Sequence, residues 1–512
     1  MATLQNTLVE VRSPTSVGIS NFVAKGGKTM TVYGLRDKKT KIVATLGPSS
    51  RDKETIRKMI RGGLNVARIN FSHGDHATHG NAIDLVREVA AEEKTVVGIL
   101  VDIQGPKIRL GKLAQPVPIQ AGDRFTLTLD RQADGTNGRI QLPHPEFIQD
   151  IQPGTRLLYG DGELQFTVVE RVGTDLICES LIDGLIEERK GIMAPNAKLT
   201  LSAITEKDSA DIAFALTKEP DFMAMSFVRS AEDILQMRWL IQHLNYTKPI
   251  SIIAKIEKHE ALECIEAITD VADGIMVARG DLGLEIPPEN VPFQQKRIIR
   301  ISNERGKPVI TATQMLNSMT KSPSPTRAEA SDVYNAIVDG TDAVMLSNET
   351  ASGDYPVQAV QMMTKIAVQS EARSWPIRPE INRLSSEKDA IADAISASAY
   401  QLSQALHPVA IVTSTITGYT ARKVASERPS TPILCVTPNE STYRSMTLVW
   451  GVTPMMIPEF GTFDKMVQLI IQTSKGQGYL QDGDRIIIIA GMPFRLGGQT
   501  NLIKVHVVSS ED

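Results

Sequence analysis

Two short segments carry the residues best suited to chemistry. "SIIAKIEKHE" places Lys255 and Glu257 two apart, and "GIMVARGDLGLEIP" brings Arg279, Gly280 and Asp281 to the end of the next apolar run. Residues two apart on a strand share a face, so Lys255 and Glu257 point the same way. Glu257 and Asp281 are separated by about one strand–helix unit, which puts both carboxylates at one rim of a parallel sheet. A few protein carboxylates completed by substrate oxygens are the usual way to hold Mg2+. A structural ion pair of Lys255 with Glu257 or Asp281 is the plainer alternative. One lysine and two acids converging at a strand mouth favour metal and anion chemistry.

The neighbouring runs end in the same manner. In "NVARINFSHG" Arg68, Asn70 and Ser72 alternate and face one way. Arginine is the planar phosphate binder, and Asn and Ser offer oxygens to a hard cation. Asp102 closes "VGILVDI", while Thr313 and Ser347 place small hydroxyls at the ends of "PVITATQM" and "AVMLSNET". The "RGDLG" turn reads as a helix start, whose Gly280 and Asp281 amides can hold a substrate carboxylate. Glycine there lets the backbone approach a ligand closely.

These residues need elements to position them. Eight near-continuous apolar runs, from "KIVATLG" to "AVMLSNET", alternate with amphipathic stretches such as "RDKETIRKMIRGG". That alternation predicts a closed (β/α)8 TIM barrel, an α/β fold with its site at the carboxyl ends of the strands. After the third run the texture changes. "DRFTLTL" and "GTRLLYGDGELQFTVVERVGTDLICES" read as short antiparallel strands with Gly and Asp turns. They predict a small β-barrel lid domain inserted after strand 3. Beyond a Pro-containing linker near 371–380, four strand-like runs predict an open α/β domain. The expected division is a polar N-terminal arm (1–35), the barrel (36–105 and 198–370), the lid (106–197) and the C-terminal domain (371–512). In the last of these, "VTSTITGYTARKV" offers Thr413, Ser414, Thr415, Thr417, Gly418 and Thr420 as a phosphate cradle. An N-cap loop rich in Ser and Thr is the alternative.

At 512 residues the chain exceeds one hydrophobic core, and a net charge of −4 gives no basic footprint for nucleic acid or anionic membrane. Its three cysteines, Cys178, Cys264 and Cys435, are far apart and lack metal-ligand spacing, which suits a reduced, cytoplasmic protein. No apolar run is long enough to span a bilayer, and no secretory signal is read at the N-terminus.

"IIAKIEKHEA", "GIMVARGDLGLEIP", "VITATQMLNSM", "PTRAEASDV", "VMLSNETASGDYPV" and "NVARINFSHG" closely resemble pyruvate kinases. The resemblance runs in order from about residue 38 to the C-terminus. It implies phosphoryl transfer from phosphoenolpyruvate to ADP, with Glu257 and Asp281 on Mg2+ (Mn2+ being possible). Lys255 would lie against the transferring phosphoryl group and Arg68 on phosphate. Gly280, Asp281 and Thr313 would hold substrate, and Thr313 and Ser347 would lie on the proton route to the enolate. Arg68, Asn70, His73, Arg109 and Lys190 would meet the nucleotide. The resemblance also implies a sugar-phosphate effector on the C-terminal domain, where the later loop "PFRLGGQTN" resembles an effector loop, and a homotetramer.

Asn70, Ser72, Asp102 and the Ile103 carbonyl match the family's K+ ligands. The K+-requiring pattern, however, has Thr, Glu and Thr where this chain has Ile103, Lys107 and Leu110. An ammonium at Lys107 can supply the charge the ion otherwise brings, so K+-independent activity is expected. Asn348 stands where the family commonly has glycine, with no consequence drawn. Two other readings compete: an aldolase-like Mg2+ lyase, which would lack the lid with Arg109 and Lys190, and a non-catalytic sugar-phosphate sensor, which retention of Lys255, Glu257, Asp281 and Arg68 argues against.

Overall fold

The computed structural model describes residues 19–23, 29–33, 38–160, 162–373, 389–493 and 500–510. Most of the expected arm and linker, and residues 494–499 of the "PFRLGGQTN" loop, lie outside these. Within the arm, Ile19–Val23 and Thr29–Tyr33 pair as an antiparallel ribbon.

Eight parallel strands close into a barrel: β1 Lys41–Thr45, β2 Val66–Asn70, β3 Gly98–Asp102, β4 Phe222–Met225, β5 Ser251–Ile256, β6 Gly274–Ala278, β7 Val309–Ala312 and β8 Ala343–Leu346. Their two-residue period sorts the side chains. Ile42, Ala44, Ala67, Ile99 and Ile252 join the large cluster under the surrounding helices. Val43, Val66, Leu100, Phe222, Ala224, Ile253, Met276, Ile310, Ala343 and Met345 fill the bore. Both faces are dry, which is why the strands read as apolar runs rather than alternating ones. Continued upward, the bore register of several strands reaches a polar residue at the carboxyl rim. Val66 leads to Arg68 and Asn70, Leu100 to Asp102, and Ile253 to Lys255 and Glu257. On these strands periodicity delivers the side chains to the rim, whereas Asp281 and Thr313 lie off the bore registers of β6 and β7 and are placed by the turns that follow them. Below, the bore is closed by Leu448 from the C-terminal part of the chain.

The inserted segment forms a six-stranded, largely antiparallel sheet and a separate two-stranded pair. It has its own buried cluster, including Phe125, Phe147, Tyr159 and Phe166. The six-stranded sheet runs from Ile192–Met193 at one end of its order to Arg139–Gln141 at the other.

The C-terminal sheet holds β9 Ala410–Ser414, β10 Ile433–Thr437, β11 Val452–Met456, β12 Arg485–Gly491 and β13 Thr500–Val507, in the order β11-β10-β9-β12-β13 with β13 antiparallel. Four of these are the sequence-predicted runs. The fifth, β11, contains Pro454, which lacks an amide for a ladder and is tolerated because β11 is an edge. Among the described residues no helix is long and apolar enough to cross a membrane.

Candidate active site

At the carboxyl rim Lys255 is the hub. Its ammonium lies 2.8 Å from Glu257 Oε1 and 3.3 Å from Asp102 Oδ1, and donates to Ser226 Oγ at 2.7 Å. Burial alone would depress its pKa; Asp102 and Glu257 outweigh that and hold it above the ordinary lysine value. Asp102, 1 % exposed, takes Arg68 Nε on its other oxygen at 2.7 Å. Burial raises its carboxyl, but Lys255 and Arg68 win and keep it below the usual carboxylate range. Arg68 is fixed further by donating to Thr45 Oγ1 at 2.8 Å.

Glu257 accepts from the Phe227 amide at 2.7 Å. Burial raises its carboxyl; Lys255 opposes this and the Asp281 charge adds to it. The two acids therefore feel each other, as the sequence spacing predicted. The Asp281 carboxylate makes no hydrogen bond or ion pair with any described residue and lines a cleft between the barrel rim and the lid. A shared rim, mutual repulsion and one unbonded carboxylate are the donor set a hard divalent cation suits.

The "RGD" turn opens the short helix Arg279–Glu285. Arg279 faces away from the cleft's chemistry. It pairs with Asp332 at 2.7 Å and donates to the Thr313 carbonyl at 2.8 Å, bracing the end of β7. Thr313 and Gln314 are both left-handed, at φ 71° and 54°. A β-branched residue at positive φ is strained, and such strain persists only where neighbours enforce it. The Gly280 amide donates to Thr313 Oγ1 at 2.7 Å, so these two expected substrate contacts occupy each other. Ser347 is positioned through its amide, which donates to Glu349 Oε2 at 2.7 Å; the other oxygen of that buried carboxylate takes the Leu316 amide at 3.1 Å.

Arg109 and Lys190 line the same cleft from the hinge and lid, together with Lys107. Lys190 lies 3.4 Å from both Glu163 and Glu187, whereas the Arg109 guanidinium donates to the Arg189 carbonyl at 3.0 Å. His73 is brought to this group: its imidazole is held below the ordinary value first by burial, then by the Arg109, Lys107 and Arg68 charges. Of the expected K+ ligands, Asn70 Oδ1 accepts from the Ser72 amide at 3.1 Å, and the Ile103 carbonyl accepts from Ser226 Oγ at 2.7 Å.

The C-terminal hydroxyls are less available. Thr413 donates to the Leu434 carbonyl at 3.3 Å, Thr415 accepts from the Gly418 amide at 3.0 Å, and Thr420 bonds Thr500 Oγ1 at 2.7 Å. Ser414 is buried and Thr417 is exposed.

The residues missed in the sequence are Ser226, Thr45 and Glu349. Ser226 had a signal. It ends "FMAMS" as Asp102 and Ser347 end their runs, and the same end-of-strand argument applies to it.

Comparison with known proteins decides the family. The pyruvate kinase barrel domain model matches residues 37–360, and the pyruvate kinase alpha/beta domain model matches 393–506. The chain belongs to the pyruvate kinase family. It is 44% identical over 474 residues to the pyruvate kinase of Clostridium perfringens, covering 92% of this chain and 100% of that one. It is likewise 44% identical over 479 residues to pyruvate kinase 2 of Synechocystis, covering 92% of this chain and 80% of that one. A solved pyruvate kinase from Cryptosporidium parvum superposes with a TM-score of 0.86 at 36% identity, covering 92% of this chain and 97% of that one. The enzyme is a phosphotransferase of this family, for which phosphoenolpyruvate and ADP are the substrates and Mg2+ the general metal.

Proposed function

We propose that the rim site transfers the phosphoryl group of phosphoenolpyruvate to ADP, giving ATP and the enolate that becomes pyruvate, the last step of glycolysis. The observation that carries the residue assignment is Lys255, held between Asp102, Glu257 and Ser226 beneath the lid cleft. Glu257 and Asp281 would hold Mg2+, which supplies positive charge to the phosphoryl oxygens. Lys255 places its ammonium against the transferring group, where charge builds in the transition state. Arg68 holds phosphate. Arg109, Lys190, His73 and Asn70 form the nucleotide side. The substrate carboxylate takes the Gly280 and Asp281 amides, which releases Thr313 Oγ1 from Gly280. Thr313 and Ser347 then lie on the water route that delivers a proton to the enolate. Catalysis is by positioning and electrostatics, without a covalent enzyme intermediate.

K+ is not required in this reading. Asp102, expected to ligate K+, already meets Lys255 and Arg68. Lys107 lines the cleft with no ion-pair partner among the described residues, which leaves its charge for the site. The same reading keeps the four-part division of the chain, a cytoplasmic homotetramer and a sugar-phosphate effector at residues 413–420.

Pyruvate formation from phosphoenolpyruvate, ADP and Mg2+, with and without K+, tests both parts. Activity in both buffers is expected. Activity only with K+ removes the Lys107 argument and keeps the kinase. No activity in either, with sugar phosphates added, leaves a non-catalytic sensor. In Lys107→Glu a K+ requirement should appear.

A further inference from the structure

Where the hinge runs into the lid there is a second groove, lined by Lys107, Arg109, Lys112, Arg131, Arg189 and one carboxylate, Asp134. Its frame is bonded on both sides of segment 107–112. On one side the Leu110 amide donates to the Lys190 carbonyl at 3.0 Å, and the Arg189 amide to the Gly111 carbonyl at 3.2 Å. On the other the Gly111 amide donates to the Gln141 carbonyl at 2.8 Å, and the Ala114 amide to the Asp134 carbonyl at 2.8 Å. Arg189 is left-handed, at φ 58°. That conformation costs a non-glycine residue free energy and persists where neighbours enforce it. Here its amide is held by Gly111 and its carbonyl by the Arg109 guanidinium at 3.0 Å. Three stretches of chain are tied together so that their cations share one space.

Those cations are unanswered. Among the described residues none of the five has a carboxylate within ion-pair distance, and the side chains of Lys107, Lys112, Arg131 and Arg189 make no hydrogen bond. Exposed cations elsewhere do find partners: Lys53 meets Glu88 at 2.6 Å, and Arg61 meets Glu93 at 2.7 Å. Asp134 is engaged in its own turn, where Oδ1 accepts from the Thr136 amide at 3.0 Å. His144, also in the lining, accepts from the Arg109 amide at 3.4 Å, and burial holds its imidazole below the ordinary value. The groove therefore carries an excess of four positive charges in a chain whose net charge is −4. Like charges held together repel, and a multivalent anion relieves that cost. The lining also selects among anions. It contains no Phe, Tyr or Trp, so it offers no platform for stacked bases. Its cations are spread out, since Lys107 and Lys112 are five residues apart, a reach of up to about 17 Å. Guanidinium forks and ammonium point charges set along a line suit a chain of phosphates better than a single one.

We propose that this groove binds a linear oligophosphate, an anion of three or more linked phosphates with no base attached. Lys112, Arg131 and Arg189 belong to the groove alone, whereas Lys107 and Arg109 also line the catalytic cleft. None of the first three is among the residues assigned to the nucleotide. The site does not depend on the catalytic assignments, because binding is read directly.

The test is calorimetric titration of the full chain with tripolyphosphate, with inorganic phosphate as the single-anion probe, both without Mg2+. Tripolyphosphate should bind about tenfold or more tightly than phosphate, and the double variant Lys112→Gln/Arg131→Gln should weaken it about tenfold or more. Thermal unfolding reports whether the variant folds; if it does not, Arg189→Gln carries the test. Lys190→Gln separates the groove from the nucleotide cleft and should leave tripolyphosphate affinity unchanged. Four outcomes overturn the proposal: no binding up to about 10 mM, phosphate binding as tightly as tripolyphosphate, affinity unchanged in the folded groove variants, or loss in Lys190→Gln alone, which would place the anion in the nucleotide cleft. Tighter binding of single-stranded oligothymidine or of oligoglutamate would overturn it too, assigning the groove to nucleic acid or to an acidic peptide.

Discussion

The Ser226 hydroxyl accepts from the Lys255 ammonium and donates to the Ile103 carbonyl, so it sets where the charge of Lys255 sits. Ser226→Ala should lower kcat about 10- to 100-fold, the worth of one hydrogen bond to a charged group felt in the transition state. The KM for ADP should change little; a fall in ADP affinity instead would assign Ser226 to nucleotide binding. Lys255→Met should cost about 10²–10³-fold or more in kcat, as loss of a transition-state donor does. Steady-state kinetics on both variants checks these values. At this scale much of the site was legible, because it follows from a period of two. Several bore-facing registers end in polar residues, and Arg68, Asp102, Lys255 and Glu257 could be placed from spacing. Asp281 follows from its distance to Glu257. Arg279 was not legible: nothing local tells that its guanidinium reaches sideways to Thr313 and Asp332. The left-handed backbone at Thr313 is equally hidden, since threonine is a poor sequence signal for positive φ.

Elements were readable where the pattern is long and apolar, and less so where tertiary context overrides it. All eight barrel strands announce themselves, whereas β11 hides behind Pro454 and is stable only as an edge. The lid's antiparallel texture was clear from its short runs and Gly and Asp turns. The lid's return to the barrel is held by Arg229, which donates to the Leu199 and Leu201 carbonyls at 2.7 Å each. Those two leucines line the cleft. Arg229→Gln should loosen this hinge and raise the KM for ADP several-fold, with phosphoenolpyruvate binding near wild type. Equal effects on both substrates would mean that the residue supports the barrel rather than the lid.

Across the whole molecule the C-terminal sheet is bonded to the barrel base at several points. Arg428 lies 3.3 Å from Asp342, Arg444 2.7 Å from Asp221, and Lys41 donates to the Val452 carbonyl at 2.6 Å. Asp342 is buried, so Arg428→Ala strands a carboxylate and should destabilise the chain by about 3–5 kcal/mol in denaturant unfolding. Burial lowers Lys41 to about 8 and Lys38 to about 7 in the folded state, from 10.5. The unfolded chain keeps those protons to higher pH, so folding releases them and stability rises with pH between about 7 and 10.5. Lys41→Met should make that rise shallower in melting curves at pH 8 to 10; an unchanged slope would mean that Lys41 does not titrate in this range. The closed ring of strands also has a bearing on synthesis. Its β3 pairs with β4 across the whole lid, and β1 waits for β8 near residue 343. At ribosomal rates of about 5–20 residues per second, the roughly 120 residues between β3 and β4 take about 6–24 s to emerge. For that interval the nascent chain carries an apolar strand with a bare edge, which makes this the window in which chaperone capture or aggregation competes with folding.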